Sequence, residues 1–153
     1  MQPQLRRAGR IALGAMTALF VGGMTISPSA ALQLPNGQFE ETNSASNCAG
    51  LTTCYVGFTQ VPPFKTVTIT NVSCQITTSN PASIVDAVVA STGAPKGAHF
   101  VPVLTATSTT TRNYLANAQV LHFVKALDHP TITLTTKPGK LTKIDCTIVG
   151  TVL

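Results

Sequence analysis

The stretch Thr66–Ile76, TVTITNVSCQI, decides the predicted fold. Val67 and Ile69 alternate with threonines, which is the period-two pattern of a β-strand with one buried face. Beyond Asn71 the pattern slips by one position, because the apolar residues of the second half, NVSCQI, occupy even-numbered positions (Val72, Cys74 and Ile76). The slip predicts either a β-bulge near Asn71 or a strand that is buried on both faces.

The same stretch contains one of four cysteines, and their even number is typical of a disulfide framework, for which three pairings exist. We favour a local ring between Cys48 and Cys54, with a long bridge from Cys74 to Cys146 in the last apolar run, KIDCTIVGTVL. In the chain-entropy model these closures stabilise the fold by about 2.4 and about 4.4 kcal/mol, respectively. No neighbouring base or further ligand pair points to a reactive thiol or a metal site.

Outward from this strand, short runs rich in Val, Ile and Thr are separated by Pro, Gly and Asn turns. This spacing predicts an all-β fold, a two-sheet antiparallel sandwich that is Ig-like or jelly-roll-like. Pro102 lies inside one run and predicts an edge strand or a bulge there. The run from Tyr114 to Leu127 contains helix-favouring residues, but its alternation favours a strand. The expected strands are 53–61, 66–76, 84–90, 99–107, 119–126, 131–136 and 143–153.

The first 31 residues have the three parts of a secretory signal peptide. Arginines at 6, 7 and 10 precede an uncharged apolar run from Ile11 to Ile26, and Pro28 separates it from a small-residue cleavage site after Ala31. An uncleaved membrane anchor is the alternative, although the run is short for a span of about 20 residues. We expect a signal peptide over 1–31, a flexible N-terminal arm over 32–47 and a disulfide-stabilised sandwich over 48–153. The expected location is periplasmic or secreted, in a bacterium.

The composition argues against a nucleic-acid partner. The net charge is +5, but three of the ten basic residues lie in the expected signal peptide, which leaves seven against five acidic residues. A nearly neutral domain lacks the basic footprint that nucleic-acid binding requires. The chain also has no Trp and only 5% aromatic residues, so a stacking platform for bases or sugars is poorly supplied.

Three segments resemble small exported bacterial β-sandwich proteins of uncharacterised function. They are VPPFKTVTITNVSC at 61–74, QVLHFVKALDHPTITL at 119–134 and IDCTIVGTVL at 144–153. The resemblance covers most of the mature chain. It implies a sandwich fold and an exported location, and it implies no catalytic residues.

Histidine and acidic residues offer only a weak candidate site. If the predicted hairpin closes tightly, His122, Asp128 and His129 would form a small metal or proton-sensing site. Their spacing matches no metal signature, so unrelated strand and turn residues are the favoured interpretation. Glu40 and Glu41 are adjacent and point to opposite sides of an extended chain, so they cannot act together on one substrate.

The sequence favours a protein without catalytic activity, since it contains no nucleophile elbow, P-loop or dinucleotide motif. The leading hypothesis is an exported structural or binding module of unknown ligand, without a cofactor. One alternative is a surface-fibre subunit that assembles by strand addition, with residues 32–47 as the donated strand. The other is a small metal-binding protein or hydrolase. The expected partner is another protein or a second copy, and membrane contact is expected only through an uncleaved signal segment.

Overall fold

A computed structural model describes residues 32–33, 36–45, 48–92 and 96–153. The expected signal peptide lies outside these described residues. Within them the chain forms β-strands and turns, and the predicted all-β class is confirmed. The ten strands of the described part are β1 (Leu32–Gln33), β2 (Gln38–Ala45), β3 (Thr53–Gly57), β4 (Val67–Ser79), β5 (Ile84–Ser91), β6 (Ala98–His99), β7 (Val103–Thr107), β8 (Thr111–Val124), β9 (Pro130–Thr136) and β10 (Leu141–Val152).

The strands form two antiparallel sheets that pack face to face, which confirms the predicted sandwich. The first sheet has the order β1-β2-β10-β4-β8-β7, and the second has the order β3-β9-β5-β6. Alternate residues of both sheets point inward, because successive side chains of a strand lie on opposite faces. The fully buried core comes from both sheets and includes Ile69, Ile76, Ile144, Ile148, Val56, Val89, Ile132 and Leu134.

The predicted bulge in β4 is confirmed. The pairing of β4 with both neighbours, β8 and β10, shifts between Ile69 and Asn71. Thr70 is exposed and Asn71 half-buried, so the inward face resumes at Val72. Gly150 of β10 lies opposite Ile69, where any Cβ atom would collide with the β4 backbone. A glycine at this position therefore permits the close approach of the two strands.

Both disulfides have the pairing that the sequence favoured. Cys74 and Cys146 lie directly opposite each other on β4 and β10, and both are buried. This bridge joins neighbouring strands of one sheet that are 72 residues apart in sequence. Cys48 joins Cys54, which ties the turn before β3 to that strand. Two disulfides indicate that the protein folds in an oxidising compartment.

The structure corrects the expected flexible arm. Residues 38–45 form β2, which pairs with β10 from Gln38–Thr151 to Ala45–Ile144 and so belongs to the sandwich. The alternation of β2 was hidden in the sequence because one inward position is the charged Glu41, which is buried. Pattern reading expects an apolar residue there. The strand that the fibre hypothesis required as a donor is therefore paired within its own chain.

The strand expected over 53–61 ends at Gly57, and two further expected strands differ more from the structure. The run 99–107 is split into β6, in the second sheet, and β7, in the first, with Pro102 in the crossover between them. A proline that cannot donate to a ladder suits such a break. The favoured strand at 119–126 begins earlier, at Thr111, because β8 continues the β4 ladder to Ser79. The helical interpretation of this segment is therefore excluded.

Candidate binding surface

The main candidate site is an open strand edge in the first sheet. β8 is 14 residues long, but β7 pairs with it only from Arg112 to Leu115. No described strand pairs with residues 116–124 on the side away from β4. We call this segment the open β8 edge. An unpaired edge presents amide and carbonyl groups to a further strand.

The backbone groups at this edge belong to the outward-facing residues of β8. The carbonyl of Asn113 accepts a hydrogen bond from Thr105 Oγ1 at 3.0 Å, so it points towards β7. Along an antiparallel strand, the direction of these groups alternates from residue to residue. The amides and carbonyls of Asn117 and Gln119 therefore point to the same side, beyond the end of β7. The edge is ready to accept a strand.

Apolar side chains accompany this edge. Leu115, Leu121 and Phe123 all lie on the outward face of β8 and are 48%, 66% and 59% exposed. Val103 of β7 lies opposite Leu115 and is also exposed. From Asn113 to Val124 the strand contains no Lys, Arg, Asp or Glu. Soluble proteins usually protect edge strands with charge, so an uncharged apolar edge is typical of an interaction site.

His122 lies on the inward face of the same strand and is buried. Its Nε2 atom has no hydrogen-bond partner among the described residues. Burial lowers the pKa of His122, because the charged imidazolium is poorly solvated there. The neutral form is therefore favoured at neutral pH, and the open β8 edge remains without charge.

A second candidate lies on the other sheet. His99 Nδ1 and Asp86 Oδ1 are 2.9 Å apart, and both side chains are largely exposed. They border a cavity of about 220 Å³ between β5 and the segment 99–102. No sequence motif indicates this pair, because only the pairing of β5 with β6 brings the two residues together. An exposed pair of this kind contributes little to stability.

The predicted metal candidates do not form a cluster. His122 points into the sandwich, whereas His129 lies in the turn before β9 and its Nδ1 is 3.1 Å from the Phe58 carbonyl. Asp128 accepts a hydrogen bond from Thr92 Oγ1 at 3.4 Å. Among the described residues, no group of three or more His, Cys, Asp or Glu side chains could hold a metal ion. The geometry therefore gives the trio no common site.

Glu41 is buried, which the sequence pattern did not indicate. Its carboxylate accepts hydrogen bonds from the Thr59 amide and hydroxyl, across the two sheets. It borders a cavity of about 60 Å³ that is otherwise mostly apolar, with Phe39, Val61 and Pro62 among its lining. The carboxylate is thus committed to a structural contact. Glu40, on the opposite face of β2, is exposed.

Comparison with known proteins finds no matching family model, curated protein or solved structure. The part of the chain that the structure describes contains no helix long and apolar enough to cross a membrane.

Proposed function

We propose that the chain is an exported, non-catalytic β-sandwich module that binds a protein strand along the open β8 edge. The observation that carries this proposal is the unpaired segment 116–124, which contains the exposed side chains of Leu121 and Phe123. Binding by strand addition takes its affinity from main-chain hydrogen bonds and its specificity from alternate side chains. This edge has unpaired main-chain groups for hydrogen bonding and exposed alternate side chains for specificity.

Export through a cleaved signal peptide is the second part of the proposal. Its support is the leader-like composition of residues 1–31 together with two disulfides, which need an oxidising compartment. The style of the leader and the resemblance to exported bacterial proteins favour the bacterial periplasm or exterior. Mass spectrometry of the protein recovered from its host should find a mature N-terminus at Leu32. A retained Met1 would overturn this part.

The proposal that the module is non-catalytic is supported by the contacts that the candidate groups make. The cysteines are bridged, Glu41 binds Thr59, and His129 contacts a backbone carbonyl. Within the described part of the chain, Asp86 and His99 form a carboxylate–histidine contact that borders a cavity. No hydroxyl or thiol is hydrogen-bonded to this histidine among the described residues, so the pair lacks the nucleophile of a hydrolase.

A surface-fibre subunit remains the second candidate, and the open β8 edge is the observation that favours it. A fibre needs an acceptor edge on one face and a free donor strand elsewhere, so that the contact repeats without closing. Residues 38–45 already pair with β10 along their whole length. A fibre would therefore require β2 to leave its own sheet, and electron microscopy of the exported protein would reveal such filaments.

Photo-crosslinking tests the binding surface. A photoreactive amino acid replaces Leu121 in one variant and Tyr55 in a control, because Tyr55 is equally exposed, at 64%, but lies on β3 of the other sheet. Irradiation of the exporting cells should give protein adducts at position 121 in clear excess over position 55. Equal yields of adduct at the two positions would overturn the proposed surface.

A further inference from the structure

We propose that the strand which occupies the open β8 edge is β8 of a second copy, paired antiparallel about Val120. The two six-stranded sheets would then join into one continuous sheet across a two-fold axis. This inference rests on the proposed function and names the partner at that surface.

The first argument is the register. The unpaired segment runs from Ala116, next to the last residue covered by β7, to Val124, where β8 ends. Its midpoint is Val120, so an antiparallel pair centred there uses every unpaired residue of both copies. A pair centred on Gln119 would place Phe123 of the second copy opposite Leu115, a position that Val103 already occupies. The length of β7 therefore selects the register.

The second argument is hydrogen bonding. In this register Asn117 lies opposite Phe123 of the second copy, and Gln119 lies opposite its Leu121. All four are outward-facing residues, whose amide and carbonyl groups point to the open side. Residues that face each other with their polar groups directed inward exchange two hydrogen bonds per pair. Each copy therefore satisfies the groups that the other leaves open.

The third argument is the side chains. The two Leu121 residues become diagonal neighbours across the axis, and each Phe123 becomes a diagonal neighbour of Leu115 in the other copy. Such neighbours are within reach of long and aromatic side chains. The unpaired segment 116–124 contains no Lys, Arg, Asp or Glu, so two copies meet there without like-charge repulsion. The contact uses the same patch on both copies, which closes at two subunits and does not propagate.

Sedimentation of the purified mature protein tests the pairing. We expect a reversible monomer–dimer equilibrium. Leu121→Lys should weaken it at least tenfold, because the two ammonium groups would lie near the axis, and Tyr55→Lys should leave it unchanged. Circular dichroism and thermal unfolding of each variant will show that the fold is retained. A wild-type protein that stays monomeric at about 1 mM, or a dimer insensitive to Leu121→Lys, overturns the inference.

Disulfide trapping tests the register itself. Asn117→Cys and Phe123→Cys proteins should form a mixed disulfide dimer when combined under mild oxidation, whereas either variant alone should give far less. Equal trapping in the single-variant samples would overturn the register. Failure of this inference is distinguishable from failure of the proposed function. A monomer that still gives adducts to another protein at position 121 overturns only the self-pairing, and a monomer without such adducts overturns both.

Discussion

Glu41 and Thr59 join the two sheets of the sandwich through a buried charge. Glu41 lies on β2 of the first sheet, and Thr59 follows β3 of the second. The Thr59 amide donates to the two carboxylate oxygens at 2.8 and 3.0 Å, and the Thr59 hydroxyl donates at 2.9 Å. Hydrogen bonds to an ionised acceptor are stronger than neutral ones, and this acceptor is only 2% exposed.

Loss of this carboxylate should destabilise the protein. Glu41→Ala removes the carboxylate that accepts from the Thr59 amide and hydroxyl, and we expect a loss of about 2–3 kcal/mol in the free energy of unfolding. Urea denaturation followed by circular dichroism measures the change. Glu40→Ala is the matched control, because the neighbouring glutamate is exposed, and it should change stability by less than about 0.5 kcal/mol. Equal effects of the two substitutions would contradict the structural role of Glu41.

The two disulfides should contribute unequally. Replacing Cys74 and Cys146 together by alanine opens a loop of 72 residues and should cost about 4 kcal/mol. The same change at Cys48 and Cys54 opens a loop of six residues and should cost about 2 kcal/mol. Urea denaturation of the two double variants gives the ranking. A larger loss from the short loop would show that native packing around Cys48 outweighs loop closure.

Gly150 should not tolerate a side chain. A Cβ atom there would meet the Thr68 carbonyl and the Phe39 ring, so Gly150→Ala should destabilise the fold by about 1–3 kcal/mol. Gly57→Ala is the control, since a Cβ at that position meets no atom within 4 Å. Thermal unfolding compares the two. A neutral Gly150→Ala substitution would mean that β4 and β10 separate at the bulge at little cost.

His122 should make stability depend on pH. Burial holds its pKa in the fold below the ordinary value of 6.5, so the unfolded chain binds a proton more readily. The fold therefore has its full stability above the ordinary pKa of 6.5. Stability is lost as the pH falls from there towards the lower pKa that His122 has in the fold. The urea midpoint between pH 8 and pH 5 should therefore fall less in His122→Leu than in the wild type. Parallel curves for the two proteins would contradict this assignment.

Local chemistry was enough to predict most of the strands and to indicate the bulge in β4. Side-chain alternation is a property of neighbouring residues, so the slip after Asn71 was visible in TVTITNVSCQI before any partner strand was known. The spacing of the cysteines and the even count likewise favoured the pairing that the structure contains. Prolines and glycines marked the turns, although the strand ends moved by several residues in β8.

The proposed binding surface depends on pairing between distant parts of the chain. Leu121 and Phe123 are visible as apolar residues in the sequence, but only the short length of β7 leaves their strand edge open. Glu41 concealed β2 because a charge at an inward position is tolerated only when a distant partner, Thr59, is in place. The alternation of residues along a strand determines which face of the sheet each side chain occupies. Which strands become neighbours depends on contacts between residues far apart in the chain, and these contacts form only in the folded molecule.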